Sequence, residues 1–292
     1  MAVTSCAYEF QRKHIGFADA KPTDFYSAQW FRFKSVYVAY RACIFVYCLL
    51  WSIMNAMHLI KYDTKYYAYL SNWGEWTLVA HFFLHLVVSI YGLTRDAYFG
   101  RSEPDCCMGN KCNKDELRWF HHLTWVTGSA STGAQYIITI LYWSFLTDNK
   151  VTSNAVNIHQ HVMNSVLVTI DLFISRVPVR FLHFVYVSLY GITYVLITLI
   201  LHGANDKSEF YAGILDWKSE PGVSTGVVFA VILVGAPAVH AVSFGFYHLR
   251  AFIAIKSSCM QPTVGENGNE GGDGENNVGL EVMVSANGSA RV

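Results

Sequence analysis

Charged side chains are scarce in this sequence. Asp, Glu, Lys and Arg make up 14% of 292 residues, against roughly 25% in ordinary globular chains. The deficit is localised. Six apolar stretches, 36–60, 73–94, 119–147, 157–175, 179–202 and 224–249, contain four charged residues among them: Arg41, Glu75, Asp171 and Arg180. A hydrocarbon core about 30 Å thick is crossed by about 20 apolar residues in a helix, and each stretch is near or above that length. A water-soluble enzyme, a secreted disulfide scaffold and a free nucleic-acid binder are excluded. No cleavable signal is expected, because the first 35 residues are polar and too long for the charged region of one. The H-E-x-x-H pattern of zinc proteases is missing. So is a strand-led glycine loop: the run Gly128-Ser129-Ala130-Ser131-Thr132-Gly133-Ala134 lies inside an apolar stretch and reads as a helix-packing face.

What is present is an all-α pattern: a polytopic bundle of six transmembrane helices. Its orientation follows from Lys and Arg, which in short loops favour the cytoplasmic side. With the N-terminus inside, fifteen fall on the cytoplasmic side and five (Lys61, Lys65, Lys150, Lys207, Lys218) outside, with Arg41 in the first stretch. Both termini are therefore expected to be cytoplasmic. Cysteine agrees, since none of the seven falls in an outer loop and no disulfide framework is implied. Three regions result: an interfacial or cytoplasmic segment 1–35 with Trp30, Phe31 and Phe33 near its end, a six-helix domain 36–253, and a tail 254–292. The tail is rich in Gly, Asn and Glu and is expected to be disordered, with protein partners as its use. Cys106 and Cys107, beside Cys112 in the second loop, are candidates for palmitoylation. The turn Ser175-Arg176-Val177-Pro178 is so short that its two helices are expected to be antiparallel neighbours.

Polar groups inside a membrane are costly and mark function by default. Eleven of the twelve histidines fall in or at the ends of the apolar stretches. His81 and His85 share one helix face and can share a metal, but no motif completes such a site. No metal or cofactor is expected, haem included. Asn157, His161, Asn164 and Asp171 follow i, i+4, i+7 and i+14, a polar stripe at 100° per residue. The stripe reads as an interhelical hydrogen-bond network or as a site with His161 as base. Asp171 has Arg176 or Arg180 as expected partners at the helix end. Membrane lipids are the expected surroundings, nucleic acid is not a partner, and the oligomeric state is open, as is the choice between plasma membrane and secretory-pathway membranes.

Several runs together resemble a known family. They are Tyr69-Leu70-Ser71-Asn72-Trp73-Gly74, then Asn157-Ile158-His159 with Met163-Asn164-Ser165, then Leu182-His183-Phe184-Val185-Tyr186 and Leu215-Asp216-Trp217. In order and spacing they resemble the rolling stone family of animal multispan membrane proteins. The resemblance spans about residues 30–250 and implies a role in cell–cell contact or fusion of the myoblast-fusion kind, through partners and lipids. That family is in turn distantly similar to the androgen-induced and androgen-dependent intramembrane threonine lipid hydrolases. Their nucleophile position corresponds to Ser71. Their histidine position corresponds to Asn164, an amide that cannot take a proton, so the alternative implied here is a lipid-ester hydrolase with a degenerate site, Ser71 working with His161.

Overall fold

A computed structural model describes residues 9–17, 20–30, 33–62, 66–99, 116–146, 155–205, 209–211 and 214–259. Six helical rods dominate. The first three are α1 (Lys34–Tyr62), α2 (Leu70–Phe99) and α3 (Trp119–Leu141), the last extended by a π-helical turn, Tyr142–Leu146. Rod four is composite: α4 (Ala155–Ile158), a π turn (His159–Met163) and α5 (Asn164–Ile174). Rod five is α6 (Phe184–Asn205), and rod six joins α7 (Pro221–Ala230) to α8 (Ala236–Cys259) through the π turn Val231–Gly235. Between rods five and six lies a two-stranded antiparallel hairpin, β1 (Glu209–Tyr211) and β2 (Leu215–Asp216). It is a small departure from the all-α expectation.

The sequence explains the breaks. Pro221 opens α7 at a position where its missing N–H costs nothing. Pro237 cannot donate to the carbonyl of Leu233 and its ring crowds that carbonyl, so the rod widens into the π turn just before it. Rod four carries no proline or glycine at its π turn.

Among the described residues four helices are long and apolar enough to cross a membrane: Lys34–Met57, Leu70–Tyr98, Phe181–Ala204 and Pro221–Ser257. The other two rods, α3 and the composite rod four, are rich in buried polar residues, and α3 packs against α2, α5, α6 and α8. A rod surrounded by other rods carries small and polar side chains rather than lipid-facing ones. Ala130, Ser131, Thr132, Gly133, Ala134 and Gln135 are all buried in it. At Gly133 a Cβ would fall 2.5 Å from both γ carbons of Val187, so this glycine sets the approach of α6. The outward faces are the reverse: Met57 is 73% exposed, Ile200 66% and Val234 68%. Soluble monomers rarely expose apolar surface this extensively.

The turn between rods four and five does not make them packed neighbours. Residues 175–180 run extended before the 3₁₀ turn Phe181–His183, and α5 and α6 both pack on α3 and α8 instead. The N-terminal segment occupies the same end of the bundle. Ala28 bridges Ser175, the Gln29 amide donates to the Ile174 carbonyl at 2.7 Å, and the Trp30 indole donates to the Phe173 carbonyl at 2.8 Å. Phe25 is fully buried edge-on against Trp125 and His121. Tyr26 lies on α2 where Gly92 has no side chain; a Cβ there would fall 2.2 Å from its ring. Cys106, Cys107 and Cys112, and most of the tail 254–292, lie outside the described residues.

Candidate functional site

Two buried polar centres lie along the bundle. The first joins α1, α2 and α5. Arg41 and Asp171 form an ion pair at 2.5 Å with side chains 0% and 7% exposed. Tyr40 donates to the same carboxylate oxygen at 3.1 Å, and His81 Nε2 lies 3.3 Å from the other. Arg41 also donates to the Tyr37 hydroxyl, which in turn donates to Ser175 Oγ at 3.3 Å. The guanidinium lies over the Tyr37 ring at 4.8 Å. A buried pair is best tolerated when its remaining lone pairs and protons find partners; α1, α2 and α5 supply them here for both carboxylate oxygens and both terminal guanidinium nitrogens, and Arg41 Nε is left without one.

The expected partners of Asp171 are otherwise engaged. Arg176 lies 3.9 Å from Asp24 and Arg180 3.5 Å from Glu9. Both arginines belong to the extended connection, which turns toward the N-terminal segment, whereas Asp171 sits on the helix and faces α1. Burial raises the Asp24 carboxyl above its ordinary range, with Arg176 acting against that. A cavity of about 50 Å³ adjoins this centre, lined by His81, His85, Asp171, His240 and Arg250 among others. Arg250 caps the end of rod four by donating to the carbonyls of Leu172, at 2.7 Å, and Ser175.

The second centre lies toward the hairpin end, where the first turns of α2 meet the π turn of rod four. A regular helix rotates 100° per residue, which spreads three successive side chains over about 200° of its surface. The wider π turn turns His159, Gln160 and His161 inward together, all buried, and such turns recur at functional sites. Gln160 donates to Asn72 Oδ1 at 2.6 Å, Asn55 donates to Glu75 Oε2 at 2.6 Å, and Asn72 donates to the Tyr66 carbonyl at 2.7 Å. His159 Nδ1 is 4.0 Å from Glu75 Oε1, its ring stacked on Trp51 at 4.2 Å. His161 stacks on Tyr142 at 3.5 Å between centroids.

Ser71 and His161 line one cavity of about 140 Å³ with Tyr142 and Tyr211. The Tyr211 hydroxyl accepts from the Leu70 amide at 2.9 Å, and burial pushes its phenol above the ordinary range. A second, almost wholly apolar cavity of about 90 Å³ shares Leu70, Leu141, Tyr211 and Ile214 with the first.

The structure thus brings Ser71 together with His161 and leaves Asn164 elsewhere: the Asn164 amide points to its own Gln160 carbonyl at 3.4 Å, and its Oδ1 is buried without a partner. Asn157, half-buried, precedes the π turn that carries His161. His81 and His85 lie with Asp171, their rings 4.5 Å apart. Sequence reasoning did not single out Glu75, Gln160 or Asn55 as site residues. Their common signal is polar character within an apolar stretch. Among the described residues no group of three or more His, Cys, Asp or Glu side chains is placed to hold a metal ion.

The sequence model described as Protein rolling stone matches residues 2–264. The chain belongs to the rolling stone family. It is 28% identical over 253 residues to Protein rolling stone of Drosophila melanogaster, an alignment covering 83% of this chain and 88% of the fly protein. No solved structure matches. The family runs quoted from the sequence have structural duties in this rolling stone protein. Asn72 ties α2 to rod four, Trp217 donates to Thr198 at 3.1 Å, and Asp216 closes the turn into α7 by accepting from the Lys218 and Ser219 amides at 2.9 and 3.0 Å.

Proposed function

We propose that this rolling stone protein acts in cell–cell contact or fusion, of the myoblast-fusion kind, through lipids and protein partners. We read it as spanning the plasma membrane or a secretory-pathway membrane six times, with both termini cytoplasmic and partner binding at the tail. The observation that carries this reading is the Arg41–Asp171 network. The most costly polar groups of the membrane domain are spent on joining α1, α2 and α5, as a rigid platform requires. The test is rescue of fusion in cultured muscle precursors that lack the protein. Wild type and Ser71→Ala are expected to restore fusion equally, and a chain lacking 260–292 is expected to fail. If Ser71→Ala fails while correctly delivered to the surface, contact alone is the wrong account.

One observation favours a second reading, a lipid-ester hydrolase. Ser71 and His161 share a cavity that continues into an apolar slot, the arrangement in which an acyl chain lies beside a hydroxyl and a base. Fluorophosphonate labelling of the solubilised protein decides it. Labelling that disappears in Ser71→Ala and in His161→Gln supports hydrolysis, and unlabelled folded protein excludes Ser71 as a nucleophile.

A further inference from the structure

The hairpin-end centre buries a carboxyl that has no Lys or Arg beside it among the described residues. Glu75 is 2% exposed. Its Oε2 accepts from Asn55, while its Oε1 is buried with no hydrogen-bond donor. Ser52 and Asn55, three residues apart on one face of α1, are 0% and 4% exposed. Asn55 Oδ1 is likewise buried without a partner, and the buried Ser52 hydroxyl faces the Glu75 carboxyl, to which it can donate.

The amide donors nearby are already committed. Asn55 Nδ2 serves Glu75, and Asn72 Oδ1 at 3.4 Å, Asn72 Nδ2 serves the Tyr66 carbonyl, and Gln160 Nε2 serves Asn72. These bonds fix the amide orientations, because turning Asn55 over would set its carbonyl against the carboxylate. The basic group facing Glu75 is His159, 4.0 Å away, with Nε2 buried and unpartnered. Cys48 and Tyr66 also lie within electrostatic reach. No Lys or Arg among the described residues acts on this carboxyl.

A carboxylate withdrawn from water without a counter-charge is strongly disfavoured. What completes the centre is a small positive species: one carboxylate calls for a single charge, and oxygen donors suit a hard ion. We propose that Ser52, Asn55, Glu75 and His159 form a binding site for one small monovalent cation, a proton or a sodium ion. A sodium ion takes Glu75 Oε1, Asn55 Oδ1 and Ser52 Oγ. A proton is held between Glu75 and His159. The site joins α1, α2 and the π turn, so its occupant holds three rods together. It stands whether the protein serves contact or hydrolysis, because neither role uses Glu75.

The experiment is thermal unfolding of the full chain in lipid nanodiscs, in sodium, potassium or N-methylglucamine chloride at equal ionic strength and about pH 8, then in N-methylglucamine from about pH 8 to about pH 5.5. A ligand that binds only the folded state raises Tm with its concentration, here by on the order of 3 °C at ten times its dissociation constant. A rise in sodium that is absent in Glu75→Gln supports the proposal and identifies sodium. A rise only on acidification, again absent in Glu75→Gln, supports it and identifies the proton. Equal responses in wild type and Glu75→Gln, or none in either, overturn it. Should Glu75→Gln not fold, Ser52→Ala is used: a several-fold rise in the half-saturating sodium concentration, or a displaced pH midpoint, supports the site, and an unchanged titration overturns it.

Discussion

At the scale of single residues, Arg41 and Asp171 matter most, because neither tolerates loss of the other. Removing one member of a buried pair leaves a charge without compensation and costs about 3–5 kcal/mol, whereas replacing both with apolar residues is often close to neutral. Arg41→Leu is therefore expected to lower the unfolding temperature steeply, and Arg41→Leu combined with Asp171→Leu to recover much of the loss. A double-mutant cycle on thermal unfolding in detergent measures the coupling. Asp216 tests the hairpin end. Its backbone hydrogen bonds from Ser219 and Lys218 hold the carboxyl below its ordinary value. A depressed carboxyl stabilises above the ordinary carboxylate range and loses that contribution as pH falls through its folded value. Asp216→Asn is expected to remove that part of the acid sensitivity, read as a flatter profile of Tm against pH. Asp171, His81 and His85 were legible as interior polar positions from their apolar surroundings. Arg41 was visible as a charge, yet its pairing was not: no spacing rule connects residues 130 positions apart.

At the scale of elements, glycine and the π turns decide how the rods meet. Gly133→Ala drives a methyl into Val187 and is expected to cost about 1–3 kcal/mol. Gly203, with open space around it, is the control, where alanine is expected to be neutral or to gain about 0.5–1 kcal/mol. Parallel melting curves of the two variants check this. A π turn behaves as a helix with one residue too many. Deleting Val162 is therefore expected to restore regular pitch, withdrawing His159 and Gln160 from α2 while the Arg41–Asp171 pair remains. Crosslinking between cysteines introduced at 72 and 160 reports the first change. The apolar stretches were readable as helices because rods that face lipid need length and apolarity, a demand that four of them meet among the described residues. The π turn of rod four was not, since no proline or glycine announces it. The spatial separation of α5 and α6 was hidden too, because a short connection run out in extended form still reaches across a neighbouring rod.

At the scale of the molecule, an even number of rods brings the N-terminal segment and the end of α8 to the same face of the bundle. Epitope tags before residue 9 and after residue 259 are expected to become accessible together in selectively permeabilised cells. Access to only one of them means that a rod does not cross. The strap formed by residues 9–30 has a consequence for biosynthesis. Its partners, the carbonyls of Phe173 and Ile174 and the rings of His183 and Tyr186, are translated some 150 residues later. At about 5–20 residues per second, the ribosome leaves the strap without its docking surface for roughly 8–30 s. Throughout that interval Trp30 is free for a chaperone, and the end of the bundle closes only after rod five has been made.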